Sequence, residues 1–290
     1  MIIHPRRSVL YMPGSNLRAL EKARILPADG VILDLEDAVA PEAKPAARKQ
    51  VAEAVKAGGF DKREVFIRVN GIDTPWFAED IEAAAQAIPD AILVPKISFP
   101  EQLELIGGRL AHLRADSHIG VWAMIETPLA IINAPALAAK ALDAKSRLGG
   151  FVMGTNDLAK ETRARLVSGR APMLAWLSTC VLAARAYDIA ILDGVYNHLA
   201  NAEGFARECA EARDLGFDGK TLIHPNQIER CNAIFSPAPE EVCEARKIIA
   251  AFAQPENQGK GVVQIDGRMV ERMHAEMAQR TVALAEAIAM

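Results

Sequence analysis

Two carboxylates stand where apolar runs of this sequence end, and that placement points to chemistry. Glu126 follows Trp122-Ala123-Met124-Ile125, and Asp157 follows Phe151-Val152-Met153-Gly154 across a turn of three residues. On adjacent buried strands both would be aimed into one mouth, where two acids repel unless something positive lies between them. Mg2+ suits that place, because it takes few protein oxygens and leaves its other positions to water and substrate. Taken singly, each acid would serve as a helix cap or an ion-pair partner in a loop. Arg68, in Phe66-Ile67-Arg68-Val69-Asn70, requires anionic partners once buried. Those are protein acids such as Asp34 or Glu36, the carboxylate of a substrate held bidentately, or both at once. Lys96, after Pro95, raises the competing idea of a Schiff base with a carbonyl substrate, but neighbouring acids would keep its amine charged and less nucleophilic. The run Asp34-Leu35-Glu36-Asp37 is dense enough that some of its acids must orient Arg68, Lys96 or the waters of a metal. His224, before Pro225, is the one histidine of the six placed to face such a mouth, and as a lone residue it reads as a structural hydrogen-bond partner.

Several familiar chemistries lose support. There is no Walker sequence, no G-x-G-x-x-G after a strand, no H-E-x-x-H and no G-x-S-x-G, which removes the signatures of nucleotide hydrolysis, zinc proteolysis and α/β-hydrolase catalysis. With 33 basic against 37 acidic residues the net charge is −4, so no global field favours nucleic acid or anionic lipid. Apolar stretches are far shorter than a membrane span requires, and no apolar segment follows the early Arg6-Arg7 pair as in a secretion signal. The sequence is read as cytoplasmic. Cys180, Cys209, Cys231 and Cys243 form no C-x-x-C pair and are read as free structural thiols.

The elements that must position these groups alternate. Apolar β-type runs at 8–12, 30–35, 64–69, 91–97, 119–125, 149–153, 190–195 and 219–223 are separated by helical patterns at 17–24, 45–57, 75–87, 100–113, 130–144, 171–187 and 201–215. Near-continuous apolar runs are those of parallel strands buried on both faces. Eight strands with seven crossovers suggest an α/β fold, a TIM (β/α)8 barrel, although an open doubly wound sheet would give a similar string. A barrel would gather the polar strand ends, among them Pro13-Gly14-Ser15, Arg68 to Gly71, Glu126-Thr127-Pro128 and Asp193-Gly194, into one mouth. The expected division is a catalytic barrel over 1–236 and a C-terminal helical extension over 237–290, with a helix through Phe252, a Gly/Asn/Gln loop and a last helix from about Met269.

Several motifs together carry a resemblance. They are SVLYMPGS from Ser8, LDLEDAVAP from Leu33, RVNG from Arg68, Pro95-Lys96, Ile125-Glu126-Thr127-Pro128, GTNDL from Gly154, Asp193-Gly194 and LGFDGKTLIHPNQ from Leu215. In this order the chain resembles the citrate lyase beta subunit and malyl-CoA lyase family of the HpcH/HpaI aldolase superfamily. The resemblance implies a TIM barrel that makes or breaks a carbon–carbon bond in a malyl-, citramalyl- or citryl-type thioester, giving a 2-oxo acid and an acyl-CoA. It implies Mg2+, with Mn2+ as a substitute, held by Glu126 and Asp157. Arg68 would bind the oxo or carboxylate end of the substrate, with Asp34, Glu36 and Asp37 as acidic support. Arg18 and Lys22, on the first helix, would meet the phosphates of CoA. The general base would come from the C-terminal extension of a neighbouring subunit, in a homo-oligomer of three or six chains. Where relatives carry Asp after Gly-Arg-Met-Ile, this chain has Glu271 after Gly267-Arg268-Met269-Val270, one methylene longer, which brings thioester hydrolysis into consideration. An aldolase of free 2-oxo acids, or a subunit that works only inside a citrate lyase-type complex, fits the same resemblance.

Overall fold

The computed structural model describes residues 4–289. Residues 6–232 form one compact unit, and residues 4–5 with 233–289 form another.

In the first unit eight parallel strands close into a barrel in sequence order. They are β1 (Ser8–Pro13), β2 (Gly30–Asp34), β3 (Glu64–Arg68), β4 (Ala91–Val94), β5 (Gly120–Ile125), β6 (Leu148–Met153), β7 (Ala190–Asp193) and β8 (Gly219–Leu222). The expected (β/α)8 architecture is therefore the observed one, and β1 pairing with β8 excludes the open sheet. Around the strands run α1 (Leu17–Ala23), α2 (Lys44–Ala57), α3 (Phe77–Ala87), α4 (Pro100–His112), α5 (Pro128–Ile132), α6 (Ala134–Ala138), α7 (Thr155–Thr162), α8 (Leu174–Ala186) and α9 (Ala202–Leu215).

The barrel interior is apolar. Val9, Ile32, Phe66, Leu93, Trp122, Met124, Val152 and Leu192 pack into one cluster, with Phe66 edge-on to Trp122 at 5.1 Å. Gly150 belongs to this packing, since a Cβ there would lie 2.6 Å from the Trp122 ring. Strand side chains alternate between faces, so the inward residues of this layer fix what faces the carboxyl end of the barrel. Two positions beyond Val9, Ile32, Phe66 and Met124 come Tyr11, Asp34, Arg68 and Glu126.

Three local expectations are corrected. The helix expected over 130–144 is broken into α5, α6 and a 3-10 turn (Ala139–Leu142); Pro135 supplies no N–H, so α5 cannot continue through it. The turn expected between Met153 and Asp157 is the start of α7, whose first turn contains Asp157. Asp193, expected at the mouth, adjoins inward Leu192 and so faces the helices, where it pairs with the buried Lys220 at 2.7 Å and Arg170 at 2.7 Å.

After α10 (Ile228–Phe235), most of which belongs to the first unit, α11 (Pro239–Ala253) of the second unit packs along α12 (Arg272–Ala289). Between α11 and α12 lies an antiparallel hairpin of β9 (Val262–Ile265) and β10 (Arg268–Glu271), where a loop leading straight into a helix from Met269 was expected. Its turn is Asp266-Gly267 at φ 49° and 79°, the positive pair that tight hairpins require. No helix among the described residues is long and apolar enough to cross a membrane. Cys180, Cys209 and Cys231 are buried, Cys243 is exposed and all four are free.

Candidate active site

Arg68 and Asp34 are direct register partners on β3 and β2, so their inward side chains meet across the strands. The guanidinium donates Nε to Asp34 Oδ1 at 2.7 Å and Nη2 to Oδ2 at 2.6 Å, a fork that fixes its plane. Arg68 is 7% exposed and Asp34 1%. Burial alone would raise the Asp34 carboxyl, but Arg68 outweighs that and holds it below the usual range. The remaining Arg68 nitrogen, Nη1, approaches Glu36 Oε2 at 2.7 Å. That contact is an ion pair off the hydrogen-bonding line, and Oε2 stays buried without a donor. Asp37 is exposed and lies 3.8 Å from the same nitrogen, so it is the outermost of the three acids.

Glu126 is 1% exposed. Its Oε1 accepts the backbone N–H of Lys96 at 2.7 Å, which Lys96 presents by adopting φ 56°. Burial, then the charges of Glu36 and Asp157, push the Glu126 carboxyl up to about 8, against the opposing pull of Arg68 and the Lys96 N–H. Asp157 is half-buried in the first turn of α7, and its charge is one of those that disfavour the Glu126 anion. Gly154 stands hard against Glu126: a Cβ there would press on its Cβ and lie 2.5 Å from its Oε2. Lys96 Nζ donates to Glu36 Oε1 at 2.9 Å. Burial opposes its charge, yet Glu36, Glu126 and Asp37 raise its pKa above the ordinary value, which disfavours the neutral amine that a Schiff base needs.

Beneath these groups lies a layer that motif reading missed. Lys44 Nζ donates to the carbonyls of Leu35 and Glu36, each at 2.9 Å, and to Asn70 Oδ1 at 2.7 Å. Asn70 in turn donates to the Leu35 carbonyl at 2.9 Å and to Asp80 at 2.5 Å. The chain carrying the Leu35-Glu36 peptides is therefore pinned by a buried ammonium from α2. Its signal in the sequence was weak, because Lys44 stands in a helical run among other exposed basic residues.

The donor set is one of hard oxygens. Among the described residues no three His, Cys, Asp or Glu converge as a ready cage for a metal. Two acids with open remaining positions are what Mg2+ accepts, and Mn2+ favours the same donors. The acids fit a cation on a further ground: Glu126 is a buried carboxylate whose anion is disfavoured as it stands, and Glu36 Oε2 has no donor. Arg18 and Lys22 are exposed on α1, four residues apart and so on one face, and they are outside this cluster of contacts. His224 is exposed and caps the turn at Pro225–Gln227, its Nδ1 accepting from Asn226 N at 3.2 Å. Glu271 ends β10 in the second unit, exposed, its N–H donating to His274 Nδ1 at 3.0 Å.

Residues 7–225 match the model of the HpcH/HpaI aldolase/citrate lyase family. A (3S)-malyl-CoA thioesterase of Cereibacter sphaeroides is 49% identical over 286 residues, 99% of this chain and 96% of that protein. The citrate lyase subunit beta of Escherichia coli K12 is 32% identical over 97% of this chain and 93% of its own. Among solved structures, the protein CitE of Mycobacterium tuberculosis in complex with magnesium, acetoacetate and coenzyme A is 28% identical with a TM-score of 0.75, covering 96% of this chain and 97% of that one.

Proposed function

This chain belongs to the HpcH/HpaI aldolase/citrate lyase family, and on that premise we propose that it is a Mg2+-dependent enzyme that hydrolyses a malyl-type CoA thioester to the free acid and CoA. The observation that carries the hydrolytic reading is the 49% identity to a malyl-CoA thioesterase along 99% of the chain, against 32% to a citrate lyase beta subunit. Carbon–carbon cleavage giving a 2-oxo acid is the second reading, favoured by the family match and by likeness to CitE.

The charge balance of the mouth supports a divalent cation. Asp34, Glu36, Asp37, Glu126 and Asp157 outnumber Arg68, Lys96 and Lys44, so an anionic acyl group entering alone would be repelled. Bound at Glu126 and Asp157, Mg2+ would supply Lewis-acid polarisation of substrate oxygens and a template for the acid end. Arg68, its plane fixed by Asp34, offers Nη1 to a substrate carboxylate in place of the misaligned Glu36 oxygen. Lys96 holds Glu36 and, through its N–H, Glu126 in register. Glu36 and Asp37 keep the guanidinium charged and oriented. Arg18 and Lys22 would meet CoA phosphates, and Glu271, supplied by a neighbouring copy of a trimer or hexamer, would act as general base; both assignments rest on the resemblance. In hydrolysis that base takes a proton from water as its oxygen adds to the thioester carbonyl, after which the C–S bond breaks and the thiolate of CoA leaves.

The experiment is incubation with (3S)-malyl-CoA and Mg2+, with free thiol and 2-oxo acid assayed in parallel. Thiol without oxo acid is expected. Oxo acid without thiol would replace hydrolysis by the lyase reading, and silence in both would redirect the search to free 2-oxo acids or a carrier-bound substrate in a complex. EDTA, Glu126→Ala and Asp157→Ala are each expected to abolish turnover with the circular dichroism unchanged; turnover that persists in EDTA would remove the metal.

A further inference from the structure

Tyr11 is an inward side chain of the mouth with incomplete hydrogen bonding. It comes from β1, its ring half-buried against the interior cluster, and the Arg68 guanidinium lies over that ring at 4.8 Å. The acceptor of its hydroxyl among the described residues is the thioether of Met124, at 4.0 Å. Arg68 Nη1 donates to the same sulfur at 3.7 Å, and its approach to Glu36 is misaligned. A thioether is a weak acceptor, so two donors from different strands converge on a soft atom beside the buried acids. Burial, reinforced by Asp34, Glu126 and Glu36, raises the phenol's pKa despite Arg68, which keeps the proton on the hydroxyl.

We infer that the Tyr11 hydroxyl, together with Arg68 Nη1, binds one oxygen of the carboxylate at the acid end of the substrate. A carboxylate oxygen takes two such donors at once, with the geometry of a charge-assisted pair. An acyl group carrying a methyl there would leave both donors facing sulfur, and unpaired polar groups in a binding site are what reject the wrong substrate. Tyr11 thereby becomes a specificity determinant for carboxylate-bearing thioesters. This inference rests on the thioester reading above and deepens it.

Tyr11→Phe removes one oxygen and keeps the ring under Arg68, so its melting temperature is expected to equal that of the wild type. Two measurements use the full chain with Mg2+: calorimetric titration with malate, and kcat and KM for thiol release from malyl-CoA. Malate affinity is expected to fall about 10- to 100-fold, the usual worth of a hydrogen bond to a charged group. KM should rise in parallel with kcat changing less, the pattern of binding shared by ground and transition states. Equal malate affinity in variant and wild type overturns the assignment, as does a wild type that binds no malate. A wild type that binds malate through Tyr11 yet releases no thiol sinks the hydrolytic reading and leaves the subsite standing.

Discussion

Gly154 leaves no room for a side chain, because any Cβ would press on the Glu126 side chain, 2.5 Å from Oε2. Since that carboxylate is tied to the Lys96 N–H on its other oxygen, it cannot retreat without losing the bond. Gly154→Ala is therefore expected to cost about 1–3 kcal/mol of stability through overpacking, and to weaken Mn2+ binding measured by electron paramagnetic resonance. Unchanged Mn2+ affinity would show that the position of Glu126 is not what holds the cation. The glycine was visible in the sequence as part of GTNDL, but its neighbour was not: Glu126 lies on another strand, and only the pairing of Ile125 with Met153 brings the two together. Arg68 and Glu126 were legible because polar residues ending apolar runs are conspicuous. Tyr11 was not singled out, since a tyrosine in an apolar strand reads as core until its hydroxyl is seen to lack a hard acceptor.

β7 and β8 show what the strand pattern left open. Asp193 and Lys220 are register partners, both fully buried, and Lys220 also donates to Glu208 on α9 at 2.7 Å. Arg170, ahead of α8, completes the group with both Asp193 oxygens at 2.7 and 2.8 Å. Gly194, next in the chain, approaches Thr155 at the start of α7 so closely that a Cβ would lie 2.6 Å from its Oγ1. Asp193→Asn strands buried cationic charge and is expected to cost about 3–5 kcal/mol. Burial works against the Asp193 anion, but Lys220 and Arg170 hold its pKa below the ordinary value. The wild-type advantage should then be fully present above about pH 4 and shrink as pH falls below that, where the unfolded chain takes up the proton first. Urea midpoints of wild type and variant at pH 7, 5 and 3 check this; a gap that stays constant to pH 3 would contradict it. The polar strand end itself was evident in the sequence, whereas its face depended on the alternation set by Leu192.

The closed barrel and its core lie wholly within residues 6–232, and every contact described for Arg68, Glu126 and Lys96 is made there. A chain ending after Ser236 is accordingly expected to unfold cooperatively on heating, with far-ultraviolet dichroism of an α/β protein. With Glu271 proposed as the base, that chain and the Glu271→Ala full-length variant should both lose thiol release, by about 100-fold or more for the single substitution. A truncated chain that turns over like the whole would remove the C-terminal unit from the chemistry. The helices of that unit were legible from their periodicity. The β9–β10 hairpin was not, although Asp266-Gly267 is a strong turn signal, because its strands are only four residues each and too mixed in polarity to show alternation.

The sequence by itself determined the βα order, the number of barrel strands and the acids and arginine that end them, because burial on both faces and the helical period are local properties of the chain. Closure of the sheet, the face on which each polar side chain stands, and the pinning of the Leu35-Glu36 peptides by Lys44 were decided only by the tertiary structure. Each depends on which strand or helix lies beside another, and a one-residue change of face turns a mouth residue such as Arg68 into a partner of the outer helices, as it does for Asp193.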